Sequence, residues 1–301
     1  MSGQMPLTAL IGFGEAGSTF ARAGGWGPFS RAYDISEVRR AVASDCGVAA
    51  TASPDEALAG AAIALSLVTA DSALGVARDY ARFLKPGAIW CDMNSVAPDT
   101  KRAAAHAVEA AGGRYVDVAV MAPVDPKALD VPLLLAGEAA AEAQAALNAL
   151  GFRNTRIVGS EVGRASAIKM IRSVMVKGLE ALTAELVLAA ENAGVLDEVL
   201  ASLDASEKQV PWAERADYNL DRMLLHGRRR AAEMQESAAT LQSLGISPMM
   251  TENTVNWQQA IGDLEISPPN GLRAKIDAIK ASGKASGKIS DKAPSEFKGE
   301  I

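Results

Sequence analysis

The sequence predicts a doubly wound α/β domain over residues 1–160, an all-α domain over 161–266 and a flexible tail over 267–301. Three observations carry this reading. Short apolar runs alternate with amphipathic stretches through the first 160 residues, as when strands of a parallel sheet exchange with covering helices. A glycine-rich turn, Gly12-Phe13-Gly14-Glu15-Ala16-Gly17, directly follows the first of those runs. Beyond Gly159 the period changes, and apolar residues recur in steps of three and four with no strand between them.

Taken in order, the strand candidates are Leu7–Ile11, Ser30–Asp34, Ile63–Val68, Ala88–Cys91, Tyr115–Val120 and Leu133–Leu135. Helical stretches such as Ser72–Phe83 and Asp99–Ala111 lie between them. Right-handed crossovers then leave the doubly wound sheet as the expected topology. In the second domain Ala165, Ile168, Ile171, Met175, Leu179, Leu182 and Leu186 predict one long helix over Val162–Asn192. Helical patterns continue through Leu196–Leu203, Tyr218–Leu244 and Thr251–Ile261. Ser267-Pro268-Pro269-Asn270-Gly271 breaks the pattern. A short helix around Leu272–Lys280 is expected, and the Lys-, Ser- and Gly-rich stretch 281–301 reads as mobile.

Composition narrows the function classes. A chain of 301 residues exceeds one ordinary core. Apolar residues make up 49% and aromatics 5%, so Ala, Leu, Val and Ile must do the packing. A net charge of −6 argues against a nucleic-acid partner, which calls for a basic face. The one basic cluster, Arg228-Arg229-Arg230, reads as an ion-paired surface patch or an anion site. Cys46 and Cys91 have no metal-ligand spacing, so no metal site is expected; two reduced, buried thiols suit a reducing compartment. Met1–Gln4 has no signal-peptide character, and no apolar run approaches the length of a bilayer span. A cytoplasmic protein without membrane partners is the expectation.

The glycine turn has the context of a dinucleotide fingerprint, a strand before it and a helix after it. Gly12 permits the tight turn, Gly14 lets a pyrophosphate approach the backbone, and Gly17 seats the helix on the strand. The phosphates would meet the free N–H groups and positive dipole end of that helix. Asp34 ends the second strand candidate, 20 residues after Gly14, where a carboxylate accepts the ribose hydroxyls and repels a 2′-phosphate. This favours NAD. NADP stays open, because Ser36, Arg39 and Arg40 follow at once. Phe13, Glu15 and Ala16 complete the turn, and Val68 and Thr69, where the strand Ile63–Val68 ends, are further cofactor candidates. The first domain is thus expected to be a Rossmann domain.

Asp92-Met93-Asn94-Ser95-Val96-Ala97-Pro98 follows the fourth strand candidate, at the carboxyl end where open α/β sheets bind ligands. Here the sequence resembles the β-hydroxyacid dehydrogenases, the family that includes the 6-phosphogluconate dehydrogenases. The resemblance rests on the glycine turn, on Asp92–Pro98, on Gly112–Val120 and on Gly163-Arg164-Ala165-Ser166-Ala167-Ile168-Lys169, in that order. It covers most of residues 5–265. The stretch 226–234, from His226 to Met234, is similar to a less-studied branch of the superfamily.

The resemblance implies a nicotinamide cofactor, an anionic small-molecule substrate, a homodimer and a catalytic lysine at Lys169. Substrate contacts are expected at Asn94, Ser95 and Val96, with Asn94 also near the cofactor. The chain departs from the family in three places. Met121-Ala122-Pro123-Val124 stands where a Ser-Gly-Gly loop is usual, Ser173 replaces an asparagine, and Val176 replaces an acid found in some members. Hydride transfer needs placement and a proton carrier, and Lys169 suits that role as general base. Ser173 lies one turn beyond it. Arg172 offers a bidentate clamp for a carboxylate or phosphate, or forms a structural ion pair. His226 is a further candidate, from the same subunit or a second one. An imine or other carbon–nitrogen reductase, and a dinucleotide-binding sensor without turnover, are the competing readings.

Overall fold

Apolar alternation on short segments builds the sheet. In this computed structural model, which describes residues 5–206, 210–243 and 247–286, eight strands form one sheet. They are β1 (Thr8–Ile11), β2 (Ser30–Tyr33), β3 (Ala49–Ala50), β4 (Ile63–Ser66), β5 (Ile89–Asp92), β6 (Arg114–Val120), β7 (Leu133–Ala136) and β8 (Thr155–Gly159). Their order is β3-β2-β1-β4-β5-β6-β7-β8, so the winding reverses between β1 and β4. Successive residues face opposite layers: Leu10, Cys91 and Val116 join one core, whereas Ala9, Ile11, Trp90 and Tyr115 join the other. With both faces covered by helices, the central strands read as continuous apolar runs.

The covering helices are α1 (Glu15–Gly24), α2 (Glu37–Asp45), α3 (Pro54–Leu58), α4 (Ala73–Tyr80), α5 (Pro98–Ala110) and α6 (Ala140–Ala149). The expected parallel sheet needs one correction, because β7 runs antiparallel to β6. Residues 121–132 between them hold only a short 3-10 turn at Ala128–Asp130, and a parallel return requires a crossover helix. Helix α6 then restores a parallel β8. Strands β3 and β8 were not expected: β3 has two exposed residues and β8 is half-exposed Thr-Arg-Ile-Val-Gly, so neither carries an apolar alternation.

The remaining helices are α7 (Arg164–Ala193), α8 (Leu196–Ser206), α9 (Trp212–Ser243), α10 (Met249–Gly262) and α11 (Leu272–Ser286). The described residues divide into two compact units. The first holds 5–172 with 239–243, and the second holds 173–206, 210–238 and 247–286. The expected division after residue 160 falls instead inside α7, because Ala165 packs against Ala119, Leu134 and Ala136 of the sheet. None of the helices is long and apolar enough to cross a membrane among the described residues.

The second unit has its own core of Ala184, Val187, Leu196, Leu200, Leu220, Met223, Ile261, Ile276 and Ile279. Helix α11, expected as a short helix around Leu272–Lys280 within a tail from residue 267, therefore belongs to a packed core. Its Lys275, 3% exposed, pairs with Asp217 at 2.5 Å and Asp221 at 3.3 Å. The rest of the expected tail, 287–301, lies outside the described residues. Beside this core sits a buried polar layer. Lys177 pairs with Glu233 at 2.7 Å, Arg230 pairs with Glu180, and Gln258 donates to Glu180 at 2.9 Å. Burial pulls the Lys177 ammonium below its ordinary range, against the pull of Glu233. The arginine cluster is ion-paired: Arg228 meets Asp263 at 2.7 Å and Glu265 at 2.6 Å, Arg229 meets Glu233 at 4.0 Å and Arg230 meets Glu180.

Candidate active site

At the reversal point of the sheet, β1 ends in the glycine turn. Gly12 has φ +89°, and a Cβ there would lie 2.6 Å from the Leu67 carbonyl oxygen at the end of β4. Only glycine fits such a turn. A Cβ on Gly17 would stand 3.0 Å from the Gly12 oxygen, which is the close seat expected of α1 on the strand. Gly14, the N-cap of α1, differs: nothing lies within 4 Å of where its Cβ would be, and no side chain caps the helix. The amides at a helix N-terminus behind an open approach suit a pyrophosphate. Phe13 turns inward to the core, Ala16 is half-buried against it and Glu15 is exposed.

Asp34 follows β2 and faces this turn. Its Oδ2 accepts the Phe13 N–H at 2.7 Å and its Oδ1 accepts the Ser36 N–H at 2.9 Å. A carboxylate offers about four lone-pair sites, so it retains room for ribose hydroxyls. Arg40 is engaged nearby, donating to the carbonyls of Asp34 at 2.6 Å and Ile35 at 3.2 Å, whereas Arg39 is exposed. Val68 and Thr69 lie just past β4, the first half-buried and the second exposed, with Thr69 donating to Ser72 at 3.0 Å. The cradle at Gly14 and the carboxylate at Asp34 therefore fit a dinucleotide.

The next strand end carries Asn94 and Ser95. Ser95 is half-buried, and the ammonium of Lys169, on the second turn of α7, donates to its hydroxyl. Two predicted site residues 74 positions apart are thus brought together. Asn94 differs from its predicted use. Its amide donates to Ser66 Oγ at 2.9 Å and Asp92 Oδ1 at 2.8 Å, which leaves only Oδ1, buried and without a hydrogen-bond partner among the described residues, to face a ligand. Val96 is fully buried, so its side chain supports the loop from behind. Arg172 is exposed and reaches the Met121 carbonyl at 3.4 Å, beside the Met121–Val124 loop. Ser173, buried on α7, and His226, half-buried on α9, belong to the second unit.

Sequence reasoning missed what lies behind this loop. Asp92, Lys101 and Asp117 have no exposure, and Lys101 Nζ sits 2.9 Å from Asp92 Oδ1 and 3.5 Å from Asp117 Oδ1. The Tyr115 hydroxyl donates to Asp92 Oδ2 at 2.6 Å. Burial, reinforced by the Asp92 charge, pushes the Tyr115 phenol well above its ordinary range and the Cys91 thiol likewise. The missed signal was Val116-Asp117-Val118, an acid inside an apolar strand, which demands a buried counter-charge. Cys46, expected to be buried, is only partly so.

Comparison with known proteins agrees with this geometry. Residues 8–160 match the NAD-binding domain of 6-phosphogluconate dehydrogenase, and residues 190–261 match a domain of unknown function. A conserved protein of Sinorhizobium meliloti is 38% identical over 93% of this chain and 98% of its own, with a TM-score of 0.71. A second conserved protein, described as structurally similar to 3-hydroxyacid dehydrogenases, is 30% identical over 93% of this chain and 98% of its own, with a TM-score of 0.63. The fold alone is shared with Mycobacterium tuberculosis 3-hydroxyisobutyrate dehydrogenase, at 16% identity, 92% and 99% coverage and a TM-score of 0.72. With residues 8–160 matching that NAD-binding domain, this chain belongs to the 6-phosphogluconate dehydrogenase-like family, in a less-studied branch of it.

Proposed function

We propose that this protein is a dehydrogenase that oxidises the hydroxyl of a small hydroxy acid or sugar acid, with Lys169 as general base. The observation that carries this reading is the hydrogen bond from Lys169 to Ser95 at the carboxyl end of β5, where open α/β sheets hold substrate. Bound NAD supplies the acceptor for the hydride that leaves the carbinol carbon. As that hydride leaves, the hydroxyl proton passes to the neutral amine of Lys169, and the ammonium returns it when a carbonyl is reduced. Ser95, already bonded to Lys169, orients the same hydroxyl. Arg172 supplies the cation for a carboxylate or phosphate on the substrate, replacing the backbone donor that Pro123 removes from its loop. This step uses residues of the first unit alone.

NAD is the preferred cofactor in this reading. Asp34 faces the turn, and Arg40 is already engaged by two carbonyls, so a 2′-phosphate would meet a carboxylate with little counter-charge. The protein is further proposed to form a homodimer. Met175, Leu179 and Leu182, spaced by four and three on α7, are 66%, 43% and 46% exposed, an apolar stripe that a second copy would cover.

The deciding experiment titrates NADH and NADPH by the fluorescence of the reduced nicotinamide, then assays a panel of hydroxy acids with and without Lys169→Ala. Tight NADH binding and turnover lost in the variant are expected. Binding of neither dinucleotide by the folded protein would sink the reading. Turnover of cyclic imines instead of hydroxy acids would move it to carbon–nitrogen reduction.

A further inference from the structure

Three charged side chains lie wholly buried behind the Ser95 loop, and together they join two segments that the proposed chemistry uses. The first segment is the loop itself. Asp92 Oδ1 accepts the Asn94 N–H at 2.9 Å, one residue before Ser95. The second is the start of α7. Asp117 Oδ2 accepts the Gly163 N–H at 3.1 Å and the Ser166 N–H at 2.9 Å, one helical turn before Lys169. These are amides that the helix itself leaves without partners. Between the two carboxylates stands Lys101. An ammonium has three N–H donors. Two of them reach the Asp92 carbonyl at 2.6 Å and Asp92 Oδ1 at 2.9 Å, and the ammonium stands 3.5 Å from Asp117 Oδ1 as an ion pair. Asp117 Oδ1 has no hydrogen-bond partner, so this ion pair is its principal contact among the described residues.

We propose that Lys101 is a positioning residue, tying the Ser95 loop to the first turn of α7 and so holding Lys169 at Ser95. The inference rests on the reading of Lys169 as the base. Burying charge is unfavourable unless the geometry is good, and an apolar side chain would fill the same space. What Lys101 adds is a tie, since it hydrogen-bonds the Asp92 segment and ion-pairs with the Asp117 segment. A residue that touches neither substrate nor cofactor thus decides where the base sits.

Competitive acetylation with trace acetic anhydride tests this without a substrate, with Lys169 read by mass spectrometry against exposed Lys85 in the same chain. Lys101→Met alone would leave two carboxylates face to face, so the test uses Lys101→Met with Asp117→Asn. This double variant keeps the net charge of the cluster and an oxygen acceptor for Gly163 and Ser166, but removes the tie. The expected result is NADH binding within about twofold of the parent, with Lys169 acetylated about fivefold faster relative to Lys85, the scale of one lost hydrogen bond. Its pH profile should approach that of Lys85. An unchanged ratio and profile in the folded double variant would mean that Lys101 only neutralises buried charge, and the proposal would fall. If the double variant does not fold, Asp117→Asn alone decides, with the same rise expected and an unchanged ratio overturning the idea. Because labelling needs no turnover, the two readings fail separately: activity surviving Lys169→Ala removes the base assignment and leaves the labelling result intact.

Discussion

At the scale of single residues the site is a set of committed hydrogen-bonding groups with a few left over for ligands. Lys169 and Ser95 face each other, and replacing Lys169 by Met should lower kcat by about 10²- to 10⁴-fold, the usual worth of a positioned base. NADH affinity should stay unchanged, as fluorescence titration would report. Asp34→Ala removes an acceptor for the Phe13 and Ser36 amides as well as the proposed ribose anchor. It should weaken NADH binding by about tenfold or more, the scale of hydrogen bonds to a charged group, and narrow the preference over NADPH. Tyr115 has its folded pKa raised above the ordinary value of 10.0, by burial first and Asp92 second. Its neutral phenol contributes fully below about pH 10, and that contribution is lost as pH rises toward the folded value. Alkaline unfolding followed by tyrosinate absorbance should therefore show Tyr115 ionising only as the fold opens, and Tyr115→Phe should lack that component. Lys169 and Asp34 could be nominated from the sequence because each stands at a recognisable offset from a motif. Lys101 was not, because nothing local distinguishes a lysine on an amphipathic helix from a solvated one.

At the scale of elements, close approach is decided by what is missing from the backbone. In the second unit α9 and α10 touch through glycines: a Cβ on Gly227 would lie 2.4 Å from the Gln258 carbonyl oxygen, and one on Gly262 2.5 Å from the Arg228 nitrogen. Gly227→Ala should push the helices apart and destabilise by about 1–3 kcal/mol, as overpacking does, which calorimetry would record as a lower Tm. The long helices were legible, since steps of three and four on α7 and α9 persist over many turns. Edge strands were not. Strand β8 reads Thr-Arg-Ile-Val-Gly with half-exposed positions, and β3 is two alanines, so neither presents the alternation that burial imposes on β1, β4 or β5. The reversed direction of β7 depends on the lack of a helix in residues 121–132, a feature of connection rather than of strand composition.

At the scale of the whole molecule, the proposed homodimer makes a separate prediction. Met175→Lys with Leu182→Lys places charge on the exposed stripe of α7, and light scattering should show the mass halved with NADH binding retained. A parent protein that already scatters as a monomer would dispose of the dimer. Sequence alone determined the order of the sheet and helical regions and the glycine turn, and it nominated Asp34 and Lys169 for the roles proposed above, because each depends on local spacing: glycine at a positive φ, an acid at a strand end, a lysine one turn into a helix. Tertiary structure alone decided that Asn94 spends its amide on Asp92 and Ser66, that α11 joins a core, and that Lys101 stands between Asp92 and Asp117. Those facts depend on which strands lie side by side. The pairing of β5 with β6 sets Asp92 opposite Asp117, and only that register makes two distant acids into a single buried site for one ammonium.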